Sequence, residues 1–269
     1  MVRGHLEESL EQLKAQCLDM MQKIDDQFTH VLKALETGDT EEAEFVDWQE
    51  KAINKKELLI DKECEKILAL YGPVANDLRF ILSVIEMNTH LERIGDLLQT
   101  IALNIVETPE LAENDLEKEF KILEKFRELM ENYRMTVDAF RTEDLRQARD
   151  IFVQNRHVRK FFNRHKSSIL AHLKKTPKKA ELFLNQHTNM LTIIRIADMV
   201  DNIMEELVFY VEAKVLKHVK KKHKKVEQHM SAKENTDESV DVDISKEIKN
   251  PGSLDQSKDR DLLEDDLDS

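Results

Sequence analysis

The chain has 269 residues, 35% of them charged, and a formal net charge of −13. No apolar run approaches the length of a membrane span, and the acidic balance argues against general nucleic-acid binding by the whole protein. The two cysteines indicate neither a disulfide framework nor a thiolate metal site, and the charged N-terminus is not typical of a signal peptide. We therefore expect a cytoplasmic protein that does not bind nucleic acid.

Helix-breaking residues are scarce and mark the predicted turns. Before residue 231 the only glycines and prolines are Gly4, Gly38, Gly72, Gly95, Pro73, Pro109 and Pro177. Between them, apolar residues recur at intervals of three and four, which is typical of amphipathic helices. The pattern predicts an all-α protein with six long antiparallel helices, which span about residues 6–36, 40–70, 73–107, 112–140, 143–173 and 176 to beyond 211.

An internal repeat divides the chain into two halves. The segment RIGDLLQTI at 93–101 matches RIADMVDNI at 195–203, and a proline-containing turn precedes each segment at a similar distance. We therefore predict two tandem homologous three-helix bundles, at residues 1–107 (the first half) and 108–218 (the second half).

The C-terminal part of the chain lies outside this repeat. Residues 219–230 are rich in lysine, and we expect them to extend the last helix as a solvated basic end. Residues 231–269 carry 13 acidic and 5 basic side chains and few large apolar ones. We expect them to form a disordered acidic tail.

The third predicted helix carries a line of polar residues that faces the expected core. Asn88, Glu92, Asp96 and Gln99 fall on one line of an α-helix and continue the apolar line of Val74, Leu78, Ile81 and Ile85. A solvated face would place its carboxylates opposite the apolar line, so we expect Glu92 and Asp96 to point inward. An inward carboxylate requires a cation, a hydrogen-bond network or a metal.

The second predicted helix offers a facing pair, Glu50 and Asn54. This pair lies 22 and 18 positions before the turn at Gly72, whereas Glu92 and Asp96 lie 20 and 24 positions after it. Divalent cations bind several oxygen ligands, and three converging carboxylates without a cation would repel one another. The four residues are therefore a candidate metal site, although acidic pairs four residues apart also arise by chance on solvated faces.

The second half tests this interpretation, because its equivalent positions differ. With a three-residue gap in the fifth helix, Asn155 and Arg159 replace Glu50 and Asn54, and Ile194 and Asp198 replace Glu92 and Asp96. We expect an ion pair between Arg159 and Asp198 and no metal in this half. Gly95, in the middle of the third helix, and its small counterpart Ala197 indicate a close approach between helices.

The remaining patterns indicate no catalytic site. The sequence contains no glycine-rich phosphate loop, no nucleophile with a placed base, no zincin motif and no inward pair of Glu and His three residues apart. We therefore predict no catalytic residues, while a metal-dependent helical-bundle enzyme that uses the first-half acidic residues stays open as an alternative.

An ion pair is expected near the first turn. Asp61 lies 11 residues before Gly72 and Arg79 lies seven residues after it, so the two side chains can meet.

Two stretches resemble the PhoU family, regulators of phosphate uptake. IDKECEKILALYGPVANDLRFILSVIEMNTHLERIGD at 60–96 is similar to the first PhoU repeat, and IIRIADMVDNIMEELVFYVEAKVLKH at 193–218 is similar to the end of the second. The resemblance implies a cytoplasmic homodimer of two-bundle chains that couples the ATPase and permease of the phosphate ABC transporter to a sensor histidine kinase. It further implies repression of the phosphate-starvation response at high phosphate, with membrane association only through these partners.

The resemblance also implies a metal cluster held by acidic pairs four residues apart on facing helices. Carried over, the motif falls on Glu50 with Asn54 and on Glu92 with Asp96, where Asn54 departs from the usual acid. A divalent or trivalent ion, Fe, Zn, Mn or Mg, is implied for the first half only, because most of the equivalent second-half positions depart from the motif. A metal–phosphate buffer is a further alternative function.

Overall fold

The structure, a computed structural model, describes residues 2–108 and 119–212, which are almost entirely helical. The helices are α1 (Val2–Thr37), α2 (Thr40–Tyr71), α3 (Ala75–Glu107), α4 (Ile122–Thr142), α5 (Ala148–Lys175) and α6 (Ala180–Glu212), and a 3-10 turn (Pro177–Lys179) precedes α6. These two segments contain no strand. Within the described residues, the prediction of an all-α fold with six long helices is confirmed. None of the described helices combines the length and apolar character needed to cross a membrane.

The turns of the first half follow from local chemistry. Gly38 takes a left-handed conformation (φ 71°), and its N–H bonds the carbonyl of Ala34 at 2.8 Å, which closes α1. The Asp39 side chain then accepts from the N–H of Glu41 at 3.0 Å and caps α2. The prediction that Pro73 lies in the first turn of the third helix is wrong, because the extended residue Val74 separates it from α3.

The bounds of the second-half helices differ from the prediction where the structure describes them. Glu119 and Phe120 are helical, but Lys121 takes a left-handed conformation (φ 48°) and interrupts the predicted helix, so α4 begins at Ile122. The predicted start near residue 112 lies outside the described residues. Glu143 is also left-handed (φ 56°) and ends α4, and α5 begins only at Ala148 instead of residue 143. Residues 109–118, and the predicted basic extension and acidic tail at 219–269, lie outside the described residues.

Helices of both halves pack within one compact unit, Met1–Val215. Helices α1, α2 and α3 contact one another, as do α4, α5 and α6; α3 packs on α6 and α1 packs on α4. At the α1–α4 contact the Phe28 and Tyr133 rings lie 5.0 Å apart, and the Tyr133 hydroxyl donates to the Met21 carbonyl at 2.9 Å. The division of the chain into two bundles at residue 107 stays a prediction.

The cross-half contacts are antiparallel and follow the repeat. Between α3 and α6, Ser83 Oγ donates to the Glu206 carbonyl and Asn104 Nδ2 donates to Asn189 Oδ1, at 3.1 and 2.7 Å. Positions in α6 follow their α3 equivalents by 102 residues, and positions in α4 and α5 follow those in α1 and α2 by 105. Phe28 and Tyr133 are such equivalents and contact each other, as expected for two repeats related by an approximate two-fold axis.

Candidate functional site

Glu50, in the middle of α2, is buried directly over Gly95 of α3. The residue is only 2% exposed. A Cβ atom at position 95 would lie 2.7 Å from Glu50 Oε2, closer than a non-bonded contact allows. Glycine inside a helix is destabilising by about 1 kcal/mol relative to alanine. Its presence here is explained by the space that the Glu50 carboxylate occupies.

The Glu50 carboxylate is only partly satisfied. Gln27 Nε2 on α1 donates to Glu50 Oε2 at 3.0 Å, whereas Oε1 is buried and has no hydrogen-bond partner among the described residues. Burial raises the pKa of Glu50 to about 7; the Gln27 hydrogen bond opposes this, and the charges of Asp96 and Glu92 add to it. A buried carboxylate with a free oxygen beside two further acids fits a bound cation.

The other predicted ligands lie at the edge of the α2–α3 contact. Glu92 is half-buried, and its pKa is raised by burial and then by the charges of Asp96 and Glu57. Asn54 and Asp96 are exposed. The expectation that both carboxylates of α3 point inward is therefore wrong for Asp96.

The reason is the direction of the buried face of α3. On the line that was expected to mark the core, Ile81 and Asn88 are buried, but the line runs along the edge of the buried face and Asp96 is exposed. The fully buried positions of α3 include Val84, Leu91 and Leu98, which occupy a neighbouring face because the helix packs on α1 and α6 as well as on α2. Across the two described segments, no three acidic, histidine or cysteine side chains already converge as a metal-binding group, and the metal site stays a prediction.

The two amides at the ends of the α3 line, Asn88 and Gln99, each donate a hydrogen bond to an aspartate of α2. Asn88 Nδ2 donates to Asp61 Oδ1 at 2.8 Å, and Gln99 Nε2 donates to Asp47 Oδ1 at 2.7 Å. The predicted Asp61–Arg79 ion pair is wrong, because Arg79 donates instead to the side chain of Asn76. Between these two ends, no lysine or arginine of the described residues forms an ion pair with Glu50, Glu92 or Asp96.

The second half has a different polar network at the position equivalent to Glu50. Asn155 is buried at the position of Glu50, accepts from Asn132 Nδ2 at 2.8 Å and donates to Asp201 Oδ1 at 2.7 Å. Arg159 forms ion pairs with Asp198 at 3.0 Å and with Asp201 at 2.7 Å, which confirms the predicted Arg159–Asp198 pair. Burial raises the pKa of Asp201 to about 6, against the lowering effect of Arg159. This half therefore contains its own cation.

Sequence reasoning missed three members of these networks, Gln27, Asn132 and Asp201. The repeat contains the signal for them, since Asn132 follows Gln27 by 105 residues and Asp201 follows Gln99 by 102. Each half thus sends one amide from its first helix to the buried polar residue of its second helix. The halves differ in charge, because Asn54 stands in the first half where Arg159 stands in the second.

Comparisons with known proteins agree with this architecture. The PhoU domain pattern matches residues 17–105. The chain is 26% identical over 218 residues to the phosphate-specific transport system accessory protein PhoU of Serratia marcescens, covering 81% of this chain and 89% of that protein. It is 28% identical over 215 residues to the PhoU homolog of Streptococcus pneumoniae, covering 77% and 95%.

The fold is also that of a solved PhoU structure. The crystal structure of PhoU from Pseudomonas aeruginosa superimposes with a TM-score of 0.72 at 24% identity, covering 77% of this chain and 99% of that chain. The relatives are therefore matched over most of their length, and the shared fold includes the helices that form both polar networks. In its domain match over residues 17–105, its relatives and its fold, the chain is therefore similar to proteins of the PhoU family.

Proposed function

We propose that this protein regulates phosphate uptake and phosphate signalling as an adaptor. It would dock on the phosphate ABC transporter, through the ATPase or permease, and on a sensor histidine kinase, and repress the starvation response when phosphate is plentiful. The supporting observation is the likeness to phosphate-specific transport accessory proteins along about four-fifths of the chain. The long helices offer extended surfaces for docking. In this proposal the protein acts in the cytoplasm as a homodimer.

The chain is a regulatory accessory protein of a non-enzymatic family, in agreement with the expectation that it is not an enzyme. The alternative of a metal-dependent helical-bundle enzyme is therefore set aside.

The adaptor role is tested by deleting the gene in the native host and measuring phosphate-starvation transcripts at high phosphate. We expect derepression, which the wild-type gene reverses, and co-purification of the transporter ATPase or the kinase with tagged protein from cells grown at high phosphate. Unchanged transcripts in the deletion strain would remove the signalling role. Capture of neither partner would remove the adaptor role.

We further propose that Glu50, Asn54, Glu92 and Asp96 hold a metal ion, with Mg, Mn, Fe and Zn as candidates. The unpartnered Glu50 Oε1 and the lack of an ion pair to the three acids support this proposal. The ion would supply the positive charge that Arg159 supplies in the second half and would join α2 to α3. The exposure of Asn54 and Asp96 requires these two side chains to turn toward Glu50 on binding.

Metal content separates this site from its second-half equivalent. We expect Glu92→Gln with Asp96→Asn to abolish bound metal, because two of the three anionic ligands are lost, whereas Asp198→Asn serves as the matched control and retains it. Elemental analysis of the purified proteins is the measurement. Equal metal content in the wild type and the double variant would contradict the proposal.

A metal–phosphate buffer is a second candidate, which the solvent-facing position of Asp96 favours, because a cation held there has room for an anion from solution. Equilibrium dialysis with phosphate, with and without metal, distinguishes it from a pure adaptor. Stoichiometric metal-dependent phosphate binding would support the buffer, and none would exclude it.

A further inference from the structure

A long segment around α5 carries only positive charge. Residues 151–180 contain nine lysines and arginines and no aspartate or glutamate, in a chain with 54 acidic residues and a net charge of −13. The exposed bases of this segment, none of which forms an ion pair with a described residue, are Lys160, Arg164, Lys174, Lys175, Lys178 and Lys179. We call this set the basic stripe. Unpaired charge of one sign on a single surface is suited to an anionic partner.

An apolar groove lies beside the basic stripe, between α5 and α6. It is an open groove of about 510 Å³, and its lining includes Ser167, Leu170, Leu173, Leu184 and His187. Leu170 and Leu184 are 55% and 53% exposed. The Nδ1 atom of His187 is buried without a hydrogen-bond partner. An apolar groove that also contains an unsatisfied polar atom is suited to a ligand with both apolar and polar groups.

The groove and the basic stripe are continuous along α5. Lys160, Ser167 and Lys174 are spaced seven residues apart and lie on one line of the helix, so lysines stand before and after the groove-lining serine. Lys174 also follows Leu170 by four residues and shares its face. An occupant of the groove would therefore be surrounded by positive charge at both ends.

The first half lacks this combination at equivalent positions. Glu65 on α2 corresponds to Leu170, and Lys62 corresponds to Ser167. The exposed face of α2 mixes both signs there, with Lys62, Glu65 and Lys66 close together. Only Leu82, the counterpart of Leu184, retains the exposed apolar character. The surface is therefore a property of the second half and does not follow from the shared fold.

We propose that the α5–α6 groove and the basic stripe bind an acidic amphipathic helix of a partner protein. The helix would place leucine-sized side chains, spaced at i, i+3 and i+7, on Leu170, Leu173 and Leu184, and its glutamates and aspartates would face the basic stripe. A concave apolar groove between two helices favours this occupant over a membrane, which is a flat surface. The proposal is independent of the metal site and of the phosphate role.

The test uses the full chain and a defined probe. The probe is a fluorescent helical peptide of glutamate and leucine, about 18 residues long to span five turns, with leucines on one face. A control peptide has the same composition with the leucine spacing scrambled. Binding is followed by fluorescence anisotropy at low and high salt, and we expect saturable binding of the amphipathic peptide that weakens with salt.

Two variants of the surface identify the site. We expect Leu170→Asp with Leu184→Asp, and separately Lys174→Glu with Lys175→Glu, to raise the Kd at least about tenfold. All four side chains are exposed, so the variants should keep wild-type circular dichroism. The matched control is Leu82→Asp on the equivalent first-half surface, which should leave the Kd unchanged.

Three results would overturn the proposal. Equal binding of the scrambled peptide would reduce the basic stripe to a non-specific charged surface. An unchanged Kd in both double variants would place the peptide elsewhere. Binding to phosphatidylglycerol vesicles, lost in the same variants and without any peptide binding, would assign the surface to lipid. None of these results bears on the adaptor role, which the transcript measurement tests separately.

Discussion

Gly95 and Glu50 restrict each other at the contact between α2 and α3. Substituting Gly95 with alanine would favour the helix by about 1 kcal/mol but would force the Glu50 carboxylate to move away from its bond to Gln27. We expect Gly95→Ala alone to change the free energy of unfolding little, because the two effects offset each other. In a Glu50→Ala background the same substitution should stabilise the protein by about 1 kcal/mol.

Chemical denaturation of the four proteins of this double-mutant cycle measures the coupling. A coupling energy of zero between the two positions would show that Glu50 does not occupy the space over Gly95 in solution.

The raised pKa of Glu50 predicts how the free energy of unfolding changes with pH. Its folded pKa of about 7 exceeds the ordinary value of 4.5, so the folded state favours the protonated carboxyl. Without metal, the charge of Glu50 therefore costs stability as pH rises from about 4.5 to 7, and the cost is complete above that range. We expect Glu50→Gln to be more stable than the wild type at pH 8 by up to about 3 kcal/mol and to lose most of this advantage at pH 5.

Urea denaturation at both pH values, with a chelator present, is the measurement. A difference between the two proteins that does not change with pH would contradict the prediction.

The equivalent helices α2 and α5 differ in whether they carry a cation beside their buried polar residue. In α5 the guanidinium of Arg159 lies between Asp198 and Asp201, one turn from the buried Asn155. In α2 the corresponding residue is Asn54, one turn from the buried Glu50. Removing the cation from the second half should leave the buried Asp201 carboxylate, whose side chain is 14% exposed, without an ion-pair partner, and an unpaired buried charge is strongly destabilising.

Asn54→Arg places an internal cation in the first half. We expect this variant to lose bound metal, and its melting temperature should no longer respond to chelator, because the guanidinium replaces the ion between α2 and α3. Asn54→Gln, which keeps an amide, is the control and should retain both metal and chelator sensitivity. Elemental analysis and thermal melts with and without chelator are the measurements. Retention of wild-type metal content by Asn54→Arg would place the metal elsewhere.

At the scale of the whole molecule, the halves are held together by the antiparallel α3–α6 and α1–α4 contacts. Equivalent residues meet at the approximate two-fold axis, as Phe28 and Tyr133 do. A fragment of residues 1–107 would expose the faces of α1 and α3 that the second half covers. We expect two copies of this fragment to pair symmetrically in place of the two halves, because the two surfaces derive from one repeat.

Light scattering of the purified fragment, with circular dichroism as a check of folding, measures its mass. A folded, monomeric fragment would contradict the prediction and would show that one bundle covers its own apolar surface.

Much of the architecture was determined by the sequence alone. Helix periodicity, the glycines at 38 and 72 and the repeat predicted six helices in two related sets. The number of residues that separates each position from the turn was sufficient to pair Arg159 with Asp198, because a fixed rise per residue sets which positions of antiparallel helices meet. The resemblance to the PhoU family likewise followed from motifs in sequence order.

Only the tertiary structure decided which members of the Asn88–Gln99 line are buried. Three helices pack on α3, so its buried face is set by their combined positions and cannot be read from a line of apolar residues. Asp96 is therefore exposed, while Glu50 lies buried over Gly95 with Gln27 as its partner. Periodicity along one helix is a local property of the backbone, whereas the partner of a buried carboxylate depends on helices that are distant in sequence.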